Sequence, residues 1–132
     1  MDEQILTIQQ TAEVTGLSEH TLRYYERIGL IHPINRAESG HRQYTPDDVG
    51  WIDLLTKLRS TGMSIQQMQR YAELQREGEH TLPERLEILK AHRIEVEARI
   101  DELQDYLQVI RHKIDYYQEV VAEQLQESPD LA

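Results

Sequence analysis

Arg23-Tyr24-Tyr25 sets a guanidinium and two phenols on consecutive residues, and Ser18, His20 and Thr21 add short polar groups just before them. Arg36, His41, Arg42 and Tyr44 form a second group, and Arg59 stands alone further along. A planar guanidinium grips phosphate or guanine through two parallel hydrogen bonds, and hydroxyls donate to phosphate oxygens. Other chemistry is poorly supplied. There is no Cys, which excludes disulfides, thiolate zinc sites and thiol redox chemistry. The six histidines contain no i, i+4 pair, and His92, His112 and Asp115 match no ligand spacing, so neither metal nor cofactor is expected. No nucleophile–base pair and no Gly-rich phosphate loop is present, so the chain does not read as an enzyme.

These groups need elements to position them. Thr7, Thr45, Ser64 and Thr81 each precede by three residues a side chain that can reach back, namely Gln10, Asp48, Gln67 and Glu84. That is the spacing of a capping box at a helix start. Ser18 is a fifth N-cap, Pro46 suits a first helical position, and Gly16, Gly29 and Gly62 suit helix ends. The first helix is therefore expected over about residues 8–15 and the second over 19–28. Gly16-Leu17-Ser18 makes the tight turn of a helix-turn-helix between them. In the second helix, Leu22 and Tyr25 share an apolar back, while Ser18, Thr21, Arg23 and Tyr24 project to the other sides. Short strands over 31–35 and 41–44, around Ala37-Glu38-Ser39-Gly40, would form a small wing, with Pro33 making the first an edge. A third helix follows over 46–61 and a fourth over 65–76.

After a polar break at 77–80, one periodicity dominates. Leu82, Leu86, Leu89, Arg93, Val96, Ile100, Leu103, Leu107, Ile110, Ile114, Tyr117 and Val121 alternate in spacing by four and three. Such a 3.5-residue repeat is a coiled-coil seam. A helix over 83–125 would be about 64 Å long at ~1.5 Å per residue, so it calls for a partner, most economically a second copy. The interface would use Leu86, Leu89, Val96, Ile100, Leu103, Leu107, Ile110, Ile114 and Tyr117, with Arg93 setting register.

Charge supports this division. Of the net −10, residues 1–70 carry seven Lys/Arg against nine Asp/Glu, whereas residues 71–132 carry seven against fifteen. The acidity is C-terminal, and the arginines cluster in the first half, where local charge governs phosphate contact. No apolar run is long enough for a membrane span, and the acidic start Met1-Asp2-Glu3-Gln4 has no signal-peptide character, so a cytoplasmic protein is expected.

The stretch from Ile8 to Leu74 resembles the DNA-binding domain of the MerR family of transcription regulators. The resemblance rests on Ala12-Glu13-Val14-Thr15-Gly16-Leu17, Thr21-Leu22-Arg23-Tyr24-Tyr25-Glu26, Gly29-Leu30-Ile31, Asn35-Arg36, Gly40-His41-Arg42-Gln43-Tyr44 and Leu58-Arg59-Ser60-Thr61-Gly62-Met63-Ser64-Ile65. It implies a mostly α fold, a winged helix-turn-helix followed by a helical pair and a long C-terminal dimerising coiled-coil helix, with the DNA-binding domain over 1–76 and the coiled coil over 81–126; the residues over 127–132 read as a flexible tail. It also implies a homodimer that binds double-stranded promoter DNA, bends and untwists it, and so acts on RNA polymerase indirectly. Contacts to DNA would fall on Arg23, Tyr24, Tyr25, Arg36, Arg42 and Arg59, with Ser18, His20, Thr21, His41 and Tyr44 beside them.

The closest branch is the aldehyde- and thiol-stress one, through Trp51-Ile52-Asp53, but Lys57 stands where that branch often has a cysteine. An effector pocket, if one exists, would draw on Trp51, Tyr71, His92 and Tyr106, chosen on composition. Core packing is the stronger reading of Trp51 and Tyr71, while for Arg59 a solvated helix residue or an intrachain ion pair is the weaker alternative to a DNA contact. A second reading makes the chain a coiled-coil interaction module whose winged domain binds another protein.

Overall fold

The computed structural model describes residues 4–127. The expected tail over 127–132 therefore lies outside the described residues beyond Glu127. Five helices follow in order: α1 (Ile8–Thr15), α2 (Glu19–Arg27), α3 (Pro46–Ser60), α4 (Ile65–Glu77) and α5 (Leu82–Gln126), with a 3₁₀ turn at Glu79–Thr81. Four of the five expected caps form. Thr7, Thr45 and Ser64 close capping boxes with Gln10, Asp48 and Gln67, and the Ser18 hydroxyl accepts from Thr21 N at 3.0 Å. Each satisfies a backbone N–H that the helix itself leaves without a partner. Gly16 ends α1 at φ 78°, its N–H donating to Ala12 O, a left-handed turn that glycine adopts without strain.

Thr81 departs from expectation. It is buried, and its hydroxyl lies 2.6 Å from Leu74 O and 2.7 Å from Gly78 O, while Arg85 Nε donates to it at 3.0 Å. Rather than starting α5, it closes the end of α4, where Gly78 turns the chain at φ 121°. The wing also differs. Among the described residues the two expected strands shrink to isolated antiparallel bridges, Arg36 with Arg42 and Leu6 with Tyr44. Two further main-chain bonds, Gln43 N to Asn35 O at 2.8 Å and Ala37 N to His41 O at 2.9 Å, complete a short hairpin. Pro33 lacks an N–H to extend it.

The core joins α2, the wing, α3 and α4. Leu22, Leu30, Ile31, Tyr44, Ile52, Leu55, Met63 and Met68 are essentially inaccessible, and Ile88 and Leu89 pack against them. Contacts divide the chain into two units, one ending at His92 and one beginning at Arg93. The division falls inside α5, whose first turns pack on the first unit's core. From Ile100 to Val121, every seam residue is exposed within the chain. Among the described residues, no helix is long and apolar enough to cross a membrane.

Candidate nucleic-acid interface

The α2 helix presents two faces. Leu22 and Tyr25 turn inward, and Arg23, Tyr24 and Arg27 stay exposed. Arg23 pairs with Glu19 one turn back at 3.2 Å, with both side chains largely in solvent. Such a pair is worth only about 0.3–0.5 kcal/mol, so the guanidinium is readily released to another anion. The Arg27 guanidinium lies 5.3 Å from the Tyr24 ring centroid. This cation–π contact fixes the ring while leaving both polar ends outward. Ser18 donates to Thr21 Oγ1 at 2.9 Å, and His20 is exposed.

The wing lies beside this helix through a bond that no local pattern announces. Arg42 Nε donates to Glu26 Oε1 at 2.8 Å, and Ile34 N donates to Glu26 Oε2 at 3.4 Å. Among the described residues, the Arg42 Nη1 and Nη2 groups make no hydrogen bond within the chain. Arg36 donates to Gly40 O at 2.8 Å across the hairpin tip, and His41 is exposed there. Arg59, in the last turn of α3, is exposed and donates weakly to Met63 O at 3.3 Å.

Two expected contact residues face the wrong way. Tyr44 is 0% exposed and Tyr25 only 7%, so both are core residues rather than surface donors. The Tyr44 hydroxyl is buried without a partner among the described residues. Burial pushes its pKa above the usual 10.0, partly offset by the nearby Arg42 guanidinium. An amphipathic Tyr suits either side of a helix or hairpin, so composition could not separate these two from Tyr24. Glu26 and Arg27 were missed by sequence reasoning. The i, i+3 spacing of Tyr24 and Arg27 was the available signal for the second.

The end of α2 is clamped from the other side of the unit. Three successive carbonyls accept from three side chains: Ile28 O from Gln69 Nε2 at 3.0 Å, Gly29 O from Arg76 Nη1 at 2.7 Å, and Leu30 O from Trp51 Nε1 at 2.8 Å. These satisfy the carbonyls of the C-cap and of the turn that follows it, and tie that turn to α3 and α4. Trp51 also stacks on Tyr71, with centroids 5.6 Å apart and rings 5° from parallel.

The four residues expected to line an effector pocket have different surroundings. Trp51 and Tyr71 stack, but His92 is buried and paired with the Thr61 hydroxyl at 2.7 Å. Tyr106 lies in the other unit and is exposed. Lys57 pairs with Asp53 at 2.5 Å on the surface of α3. Among the described residues, no group of three or more His, Asp or Glu could hold a metal ion. Of the residues expected at a dimer interface, Leu89 is partly buried against the core of its own chain, whereas Leu86 is exposed.

Comparison with known proteins agrees with this architecture. The family model described as the MerR HTH family regulatory protein matches residues 6–75, and the MerR, DNA binding model matches 49–113. An HTH-type transcriptional regulator of Haemophilus influenzae, itself uncharacterised, is 37% identical over 116 residues, covering 88% of this chain and 86% of that protein. A chain from Listeria monocytogenes assigned to the MerR family of transcriptional regulators superposes with a TM-score of 0.84 at 44% identity, over 96% of each chain. HiNmlR, a MerR family regulator lacking the sensor domain and crystallised on promoter DNA, superposes with a TM-score of 0.82 at 36% identity, over 90% of this chain and 94% of that one. With a family model covering more than half its length, the chain belongs to the MerR family of helix-turn-helix regulatory proteins.

Proposed function

We propose that this protein is a transcription regulator that binds promoter DNA as a homodimer. The observation that carries the reading is the exposed Arg23–Tyr24–Arg27 face of α2 beside a wing whose Arg42 is pinned to the same helix by Glu26. A helix with an apolar back and an Arg-bearing front fits the major groove, and the Arg42 Nη groups, without a hydrogen bond among the described residues, and the exposed Arg36 suit flanking phosphates. HiNmlR, of similar fold and sequence, is bound to promoter DNA. The exposed seam of α5 supports the dimer, since a row of apolar side chains left in water calls for a covering partner. Two recognition helices at a fixed separation would then read two half-sites and impose a bend or twist on the DNA between them, acting on RNA polymerase through promoter shape.

Fluorescence anisotropy on DNA from the protein's own upstream region, against scrambled DNA and across a salt series, tests this. Preference for a promoter sequence, with affinity falling steeply as salt rises, is the expected result. Absence of sequence preference on a genome-wide selection would instead favour the protein-interaction module.

A further inference from the structure

The only tryptophan lies in a cleft of about 160 Å³ beside the clamp on α2. Leu30, Trp51 and Ala72 give it apolar walls, and His32, Asp48 and Arg76 add polar groups. Much of this polarity is already spent. Asp48 Oδ1 lies 2.6 Å from His32 Nε2, and Asp48 Oδ2 accepts from Thr45 N at 3.0 Å. Arg76 Nη1 is held by Gly29 O. Two capacities remain: the Nη2 of Arg76, and the carboxylate of Asp47, which also lines the cleft and has no partner among the described residues.

We propose that this cleft is a binding site for a small, flat, neutral organic molecule bearing a hydroxyl group. Size sets the first limit, since an apolar cavity of about 150 Å³ accommodates benzene. Charge sets the second. A carboxylate can pair with Arg76 but then lies beside Asp47 and Asp48, and an ammonium can pair with Asp47 but then lies beside Arg76, so each ion gives up hydration and leaves one open group facing a like charge. A hydroxyl both accepts and donates, which matches the two open groups, Arg76 as donor and Asp47 as acceptor. Trp51 supplies an aromatic wall held rigid by Tyr71 and by its bond to Leu30 O. The occupant touches two of the three side chains that clamp the end of α2, Trp51 and Arg76. The site itself is independent of the DNA-binding reading.

Trp51 makes the test direct, because its emission reports from this cleft alone. The full chain is titrated with phenol, exciting at the red edge of tryptophan absorption, with benzoate and benzylammonium as charged counterparts. The expected result is a saturating change in emission with phenol and roughly tenfold weaker binding of both ions. Gln75→Phe, which fills the cleft from an exposed lining position, should abolish the response with helical circular dichroism unchanged. Asp47→Ala, at an exposed position without a partner, should weaken it severalfold and gives a second reading if the first variant folds poorly. Quenching strictly proportional to phenol concentration overturns the proposal. So does a saturating response that neither substitution alters.

Discussion

The Arg42 guanidinium donates through Nε to the Glu26 carboxylate at 2.8 Å, with only 19% and 17% of the two side chains exposed. The bond joins residues sixteen apart and links the wing to the helix that carries Arg23 and Tyr24. It leaves Nη1 and Nη2 of Arg42 without a hydrogen bond among the described residues, so their position depends on Glu26. The same carboxylate receives Ile34 N, which fixes the strand-like start of the wing as well.

Glu26→Ala should therefore act on stability and on binding together. It strands a partly buried guanidinium and a backbone N–H, at a cost of about 1–3 kcal/mol. Urea denaturation should show that loss. DNA affinity should fall further than unfolding alone explains, because the wing loses its angle to α2 while Arg23 is untouched. Glu26→Gln keeps an acceptor for Ile34 N or Arg42 and should recover part of both.

Tyr44→Phe makes the opposite kind of change. The hydroxyl is buried and unpaired among the described residues, so removing it relieves a desolvation penalty and should leave stability unchanged or raise it by up to about 1 kcal/mol. DNA binding should not change. The pH dependence has a definite sign. The unfolded phenol ionises near 10.0, while the buried one holds its proton to higher pH. Above pH 10 the unfolded state thus binds fewer protons, and stability falls as pH rises toward the folded pKa. Urea midpoints through the alkaline range should fall less in Tyr44→Phe than in the parent protein.

These two residues show where the sequence was readable. Thr7, Ser18, Thr45 and Ser64 could be placed as caps because capping is a local contact over two or three residues. Thr81 has the same spacing, but its hydroxyl finds Leu74 O from the preceding helix, a tertiary choice that spacing does not encode. The long helix α5 was legible from its period alone. Period does not say what covers a given turn, and so the partial burial of Leu89 against its own core emerged only with the fold. Glu26 with Arg42, and the clamp of Gln69, Arg76 and Trp51, join positions far apart in sequence and became visible only with the fold.

Arg23 and Arg36 should separate base reading from phosphate contact. Arg23→Ala breaks only a weak surface pair with Glu19, so its fold should hold. If Arg23 reads a base, specific binding weakens by roughly 1–3 kcal/mol and sequence preference relaxes at one position. Arg36→Ala should weaken all sequences alike and lower the salt slope by about one. Anisotropy on cognate and scrambled DNA at several salt concentrations distinguishes the two patterns. Equal losses on both DNAs for Arg23→Ala would move it to the backbone-contacting class.

The α5 seam offers the clearest test of assembly. Ile100 and Leu107 are 49% and 41% exposed within the chain, so placing Asp at both should leave the first unit's fold intact. In a dimer, the same changes bring four carboxylates to an apolar interface, where unpaired charge is strongly disfavoured. Ile100→Asp with Leu107→Asp should therefore give a monomer by light scattering, with unchanged secondary structure by circular dichroism apart from fraying of α5. Val109→Asp is the control. Val109 is 71% exposed and lies off the four–three pattern, so that variant should remain dimeric. DNA binding should follow the oligomeric state, because a monomer holds one half-site and forgoes the linked second contact. A dimer that survives the double change would place the interface elsewhere on the chain.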